Sequence, residues 1–174
     1  MCGYDRDAGT LSHVSTLNTA PYQNGTGLFA SEVVVLSSVE ARREDGASLV
    51  LVATRDATQA LRDSIAVFTQ APTPGSADGH GGTDFEGGDY PVDHLRTTRI
   101  KTCSYPRTMA VLPQPPSSKV PTTTSVVVVA CHNKNNAAVN NTAVFRLSRT
   151  AGALNLLDDF RLLAMPGFVS GFMI

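Results

Sequence analysis

Residues 48–68, "SLVLVATRDATQALRDSIAVF", return 77 positions later as residues 125–145, "SVVVVACHNKNNAAVNNTAVF", without a gap. A chain that repeats itself this way builds one supersecondary unit twice, and that restricts its folds more than any single motif could. Val50/Val127, Val52/Val129, Ala53/Ala130, Ala66/Ala143, Val67/Val144 and Phe68/Phe145 are identical across the two copies. A matched segment precedes each copy, "FASEVVVL" (29–36) and "YPRTMAVL" (105–112). A third echo pairs "RDAGTLS" (6–12) with "RTAGALN" (149–155), a turn followed by a leucine strand.

The repeated words are short, apolar and rich in β-branched residues: "EVVVL", "SLVLVA", "SIAVF", "TMAVL", "SVVVVA" and "TAVFRL". Clusters of Gly, Pro, Asn and Asp separate them, which reads as antiparallel strands of an all-β protein. Only 153–165, "ALNLLDDFRLLAM", could pass for a helix, and its place in the repeat assigns it to a strand. A β-repeat of this size is either a four-stranded propeller blade or a solenoid coil. Its length and strand order favour the blade. The expected fold class is therefore all-β, a partial β-propeller of two to three four-stranded antiparallel blades.

The whole of 1–174 then forms one partial propeller domain: a blade tail over about 6–20, a blade over about 29–100, another over about 105–165, and a closing strand at 167–174. Residues 71–91 carry six glycines and no periodicity, and are expected to be a disordered insert of the first whole blade. His80 within it reads as a solvated loop histidine. The "PQPPSSKVPTTT" loop (113–124) joins the first and second strands of the next blade. A propeller ring closes with ~4–8 blades. Two to three blades leave open faces, so self-association through those faces, or a longer parent protein with Met1 in mid-blade, is expected.

The formal charge is −1, from 14 basic and 15 acidic residues, so no global field points to nucleic acid or to an anionic membrane. No apolar run approaches the ~20 residues of a membrane helix, and the first residues lack a signal-peptide pattern. Cys2, Cys103 and Cys131 are odd in number and have no CxxC spacing. They read as reduced thiols of a cytoplasmic protein rather than as a zinc site or disulfide framework. The Asn24 and Asn140 sequons read as chance matches.

In an antiparallel pair, the start of the first strand and the end of the second share an edge. First strands starting near Glu32 and Arg107, and second strands ending at Arg55 and His132, put these four residues on one rim of two adjacent units. Each also has a structural reading. Arg107 could cap a sheet edge with Glu32 as partner, Glu32 could protect an edge, Arg55 could pair with Asp56, and His132 could bond within a turn.

The chain resembles the lactonase-type seven-bladed β-propellers, which include bacterial 6-phosphogluconolactonases and fungal carboxy-cis,cis-muconate cyclases. The phrases that carry the resemblance are "DAGTLSHVSTL" (7–17), "ASEVVVL" (30–36), "LVLVATRDATQALRDSIAVF" (49–68), "YPRTMAVL" (105–112) and "VVVVACHNKNNAAVNNTAVFRLSRTAGAL" (126–154). By position, Glu32 matches the family's acidic residue in "AEI", Arg55 the arginine of "SNRG" and Arg107 the arginine of "FPR". His132 stands where the family often has Gln. The family's "PDG" hairpin turns are replaced here by "SSVEARREDGAS" and "PQPPSSKVPTTTS".

The resemblance implies a small anionic substrate, a phosphorylated or carboxylated lactone or a muconate, undergoing lactone hydrolysis or reversible lactonisation. Guanidinium groups grip carboxylate or phosphate bidentately and remain charged. Glu32 and Arg107 are thus the candidate catalytic pair, with Glu32 as general acid/base and Arg107 stabilising oxyanion charge. Arg55 and His132 are the candidate substrate-binding residues. No metal or cofactor is expected, and there is no GxSxG elbow, phosphate loop or dinucleotide fingerprint. The rival expectation is a non-catalytic propeller segment that binds or assembles.

Overall fold

The computed structural model describes residues 2–5, 9–13, 27–41, 43–57, 63–71, 92–102, 104–112, 123–132 and 140–161. β1 (Cys2–Asp5) and β2 (Thr10–His13) form a hairpin. β3 (Leu28–Leu36), β4 (Ser48–Asp56), β5 (Ser64–Gln70) and β6 (Val92–Arg99) form one antiparallel four-stranded sheet, ordered as in the chain. β7 (Pro106–Leu112), β8 (Thr124–Cys131), β9 (Thr142–Ser148) and β10 (Leu154–Phe160) form a second, with the same order and sense. The one helix among the described residues is α1 (Ser38–Ala41). The all-β expectation therefore holds, and the ambiguous 153–165 segment is a strand over Leu154–Phe160, with 162–165 outside the described residues. The insert beyond Ala71, most of the 113–124 loop, the 167–174 strand and the ends of the 6–20 segment lie outside the described residues.

The repeat seen in the sequence is a repeat of register. In the first sheet Ala30 opposes Thr54 and Glu32 opposes Ala53, leaving Ser31 as a bulge. In the second, Pro106 opposes Cys131 and Thr108 opposes Ala130, leaving Arg107 as the bulge. The two bulges fall at equivalent positions. The third echo holds too. Tyr4 opposes Leu11 as Leu147 opposes Leu154, and Gly9 and Gly152 take the same left-handed φ, 64° and 62°. Gly152 has a second constraint. A Cβ there would lie 2.7 Å from the Leu95 Cβ of β6, so the β9–β10 turn packs on the first sheet only with glycine.

How the sheets meet follows from strand alternation. β4 and β5 offer Leu49, Leu51, Ala53, Ile65 and Val67 to a shared core; β8 and β9 offer Val127, Val129, Cys131, Ala143, Phe145 and Leu147. These two faces are not repeat equivalents. The equivalents of Val127, Val129, Ala143 and Phe145 are Val50, Val52, Ala66 and Phe68, which form a separate buried cluster on the far side of the first sheet. The sheets thus stack head to tail, as successive units of an array do. Across the interface the first strands β3 and β7 make the most extensive approach.

Polar ties close both ends of the stack. At one end Arg43 ion-pairs with Asp45, and its Nη1 donates to the Arg149 carbonyl at 2.8 Å. The buried Arg149 Nε donates to Ser125 Oγ at 2.7 Å. α1 is started by a reciprocal cap. Ser37 N donates to Glu40 Oε2 at 2.9 Å and Glu40 N to Ser37 Oγ at 3.3 Å, inside the "SSVEARREDGAS" loop that stands in place of a hairpin turn. The other end holds the rim described below.

Cys131 is disulfide-bonded, against the expectation of reduced thiols. Disulfide formation depends on the approach of Cα atoms in space, and neither the odd count nor the absence of CxxC spacing carries that information. Disulfides are commoner in oxidising compartments than in the cytosol, so the cysteines no longer argue for a cytoplasmic protein. No helix among the described residues is long and apolar enough to cross a membrane.

Candidate anion site at the Tyr105 rim

Tyr105 is the centre of the rim. The Arg55 Cζ lies 5.1 Å from its ring centroid and the Arg107 Cζ 5.7 Å, both within cation–π range. The His132 ring stands 6.4 Å away, tilted by 56°. Three elements deliver these groups. β4 ends just beyond Arg55, β8 ends just before His132, and β7 starts at Pro106, whose missing N–H suits a first strand position. Arg107 is the bulge residue, and a bulge re-aims a side chain that regular pleating would direct elsewhere. At the equivalent bulge, Ser31 Oγ donates back to the Ala53 carbonyl at 3.1 Å.

The backbone of Tyr105 is held on both sides. Its N–H donates to Asp63 Oδ2 at 2.9 Å, and its carbonyl accepts from His132 N–H at 3.0 Å. It is the one non-glycine residue with positive φ (64°) among the described residues, a conformation that costs about 1–2 kcal/mol in a side-chain-bearing residue. Strain of this kind clusters at functional sites.

Two acids that support the Tyr105 backbone and its neighbour Arg55, Asp63 and Asp56, are buried, at 3% and 2% exposure. Asp63 Oδ1 accepts from Asp56 N–H at 2.8 Å. Burial pushes the Asp63 carboxyl above its ordinary range. The N–H groups of Tyr105 and Asp56 oppose that shift, and the charge of Asp56 adds to it. The Nε of Arg55 and the Nδ1 of His132 are shielded from solvent and have no hydrogen-bond partner among the described residues. Buried polar atoms are nearly always paired, so the Arg55 Nε–H calls for an acceptor, and the His132 Nδ1 calls for a partner set by its tautomer.

Of the four residues expected on the rim, Arg55, Arg107 and His132 converge on Tyr105. Glu32 does not sit at a strand start as expected. β3 starts at Leu28, because "LFAS" also pairs with the end of β4 through the bulge, and this puts Glu32 within the strand. It opposes Ala53, two residues before Arg55, and so shares a face with Arg55 as a diagonal neighbour. No ion pair within 4.0 Å joins it to Arg55 or Arg107 among the described residues. Tyr105, Asp56 and Asp63 were not singled out from sequence. Tyr105 had a signal in being the aromatic of "YPR". Asp63 had only the match of its position to Asn140.

No protein-family model, curated protein or solved structure matches the chain. Among the described residues no cluster of His, Cys, Asp and Glu could hold a metal ion.

Proposed function

We propose that the Tyr105 rim binds a small carboxylated or phosphorylated anion, and that the chain is part of a lactonase-type β-propeller acting on a lactone or muconate of that charge. The observation that carries the reading is the convergence of two guanidinium groups on one ring, with the Arg55 Nε unpaired. Arg55 and Arg107 grip the anion, which also accepts from the unpaired Arg55 Nε–H. During lactone opening, the same charges stabilise the oxyanion. Glu32, on the Arg55 face, serves as general acid/base through a water or the substrate. Head-to-tail stacking of two blade-like sheets, with a hairpin that repeats a blade's last two strands, supports the propeller part of the proposal.

Turnover is the test. The protein is expected to hydrolyse 6-phosphogluconolactone, or to lactonise a carboxylated muconate, in a saturable manner. Arg107→Ala is expected to abolish that activity, and full activity in the variant rejects the site assignment.

A second reading, a binding or assembly module without chemistry, is favoured by exposed apolar side chains: Val33 and Val35 on β3, and Leu156, Leu157 and Phe160 on β10. It predicts a defined oligomer in solution, together with anion binding and no turnover of either substrate class. Sedimentation equilibrium and the same activity assay separate the two readings.

A further inference from the structure

We infer that Asp63 is the positioning residue of the rim: by gripping the backbone on both sides of the site, it fixes Tyr105 where its ring meets both arginines. The inference rests on the anion-site reading for its functional consequence, but the clamp itself is independent of any ligand.

Asp63 joins the end of β4, seven residues before it, to the connection between β6 and β7, about forty residues after it. Its Oδ1 accepts from Asp56 N–H (2.8 Å), next to Arg55 at the end of β4. Its Oδ2 accepts from Tyr105 N–H (2.9 Å), just before β7. Its own carbonyl accepts from Ile100 N–H (2.8 Å), just after β6. One carboxylate oxygen thus holds the residue next to Arg55, and the other holds the residue two before Arg107. With its carbonyl also held by His132 N–H, the Tyr105 backbone has little freedom to leave its left-handed conformation.

The chemistry of the clamp is specific to a carboxylate. An ionised Asp offers two acceptor oxygens, whereas an Asn offers one oxygen and one N–H₂ donor. An Asn can therefore satisfy Asp56 N–H or Tyr105 N–H, but not both. The repeat contains this comparison: Asn140, the equivalent of Asp63, uses its Nδ2 to donate to Asp159 Oδ1 at 2.8 Å, within its own sheet. Asp63 spans two sheets, and the span ends on the residue that both guanidinium groups face.

Two readouts test this. The first needs no ligand or substitution. Scalar coupling across the hydrogen bond between Tyr105 N and the Asp63 carboxyl carbon is expected in the intact protein, and its absence overturns the clamp. The second uses calorimetric titration with inorganic phosphate. Asp63→Asn, and Asp63→Ser as a second variant, are expected to weaken phosphate binding by about tenfold. In a Tyr105→Ala background, where the ring is gone, Asp63→Asn is expected to weaken it no further. Equal weakening in both backgrounds, or none in either, overturns a role exerted through Tyr105. An intact protein that binds no phosphate but shows the coupling rejects the anion-site reading and leaves the clamp standing.

Discussion

Val67 and Val144 hold the same place in the repeat and live in different surroundings. Val67 is fully buried between the two sheets, whereas Val144 points to the opposite side of the stack and is only half-buried. Asp63 and Asn140 diverge in the same sense. The first reaches across to Tyr105 of the next sheet, and the second bonds inside its own. The lesson is that a repeated sequence need not meet its own copy as a mirror partner. In a head-to-tail stack, each unit offers one face forward and a different one backward, and equivalent residues separate into inner and outer roles.

The strongest way to break this comparison is truncation at the paired valines. Val67→Ala empties a packed interface and is expected to cost about 2 kcal/mol. Val144→Ala is expected to cost less than about 1 kcal/mol, because solvent already reaches that side chain. Urea unfolding measures both. Equal costs would mean that the sheets do not use unequal faces.

Exchange at the polar pair comes next. Asp63→Asn leaves a buried N–H without an acceptor and is expected to cost about 1–2 kcal/mol. Asn140→Asp puts a carboxylate beside Asp159 near solvent and is expected to cost under ~1 kcal/mol.

The same pair gives a pH signature. Because burial raises the Asp63 carboxyl, the folded chain holds that proton more tightly than the unfolded chain does. Its contribution is most favourable below the ordinary aspartate range, ~3.9, and is lost as pH rises through the raised folded value. Asp63→Asn is expected to flatten that fall in a Tm–pH profile. Asp45 and Glu40 act with the opposite sign. Arg43 holds Asp45 below its ordinary range, and the Ser37 N–H and hydroxyl do so for Glu40. Their small stabilisation is lost as pH falls, in wild type and variant alike.

The smallest effect concerns a difference between the two loops that replace hairpin turns. Ser37→Ala removes the α1 cap and is expected to cost about 0.5–1 kcal/mol by the same unfolding measurement.

Much of this architecture was legible in the chain, because β-repeats announce themselves through pattern. The alternation in "SVVVVA", the match of 48–68 to 125–145 and the turn glycines Gly9 and Gly152 are local signals, and local signals set strand identity and order. Arg55, Arg107 and His132 were found because strand ends are predictable once strands are. Glu32 was misplaced because a bulge shifts register without leaving a mark in a run such as "ASEVVVL". Asp63 and the Cys131 disulfide escaped for another reason. Each acts through a partner brought near only by tertiary folding, and single-chain spacing does not record that distance. The left-handed Tyr105 is similar, since nothing in "SYPR" calls for positive φ; Asp63 and His132 impose it.

The most direct test of the rim is a phosphate titration of the intact protein, followed at the arginine Nε–H resonances. The signals of Arg55 and Arg107 are expected to move together along one saturating curve, while those of Arg43 and Arg146 stay nearly fixed. If the Arg55 and Arg107 signals stay put, or drift no differently from the other two, the guanidinium groups around Tyr105 do not form an anion site.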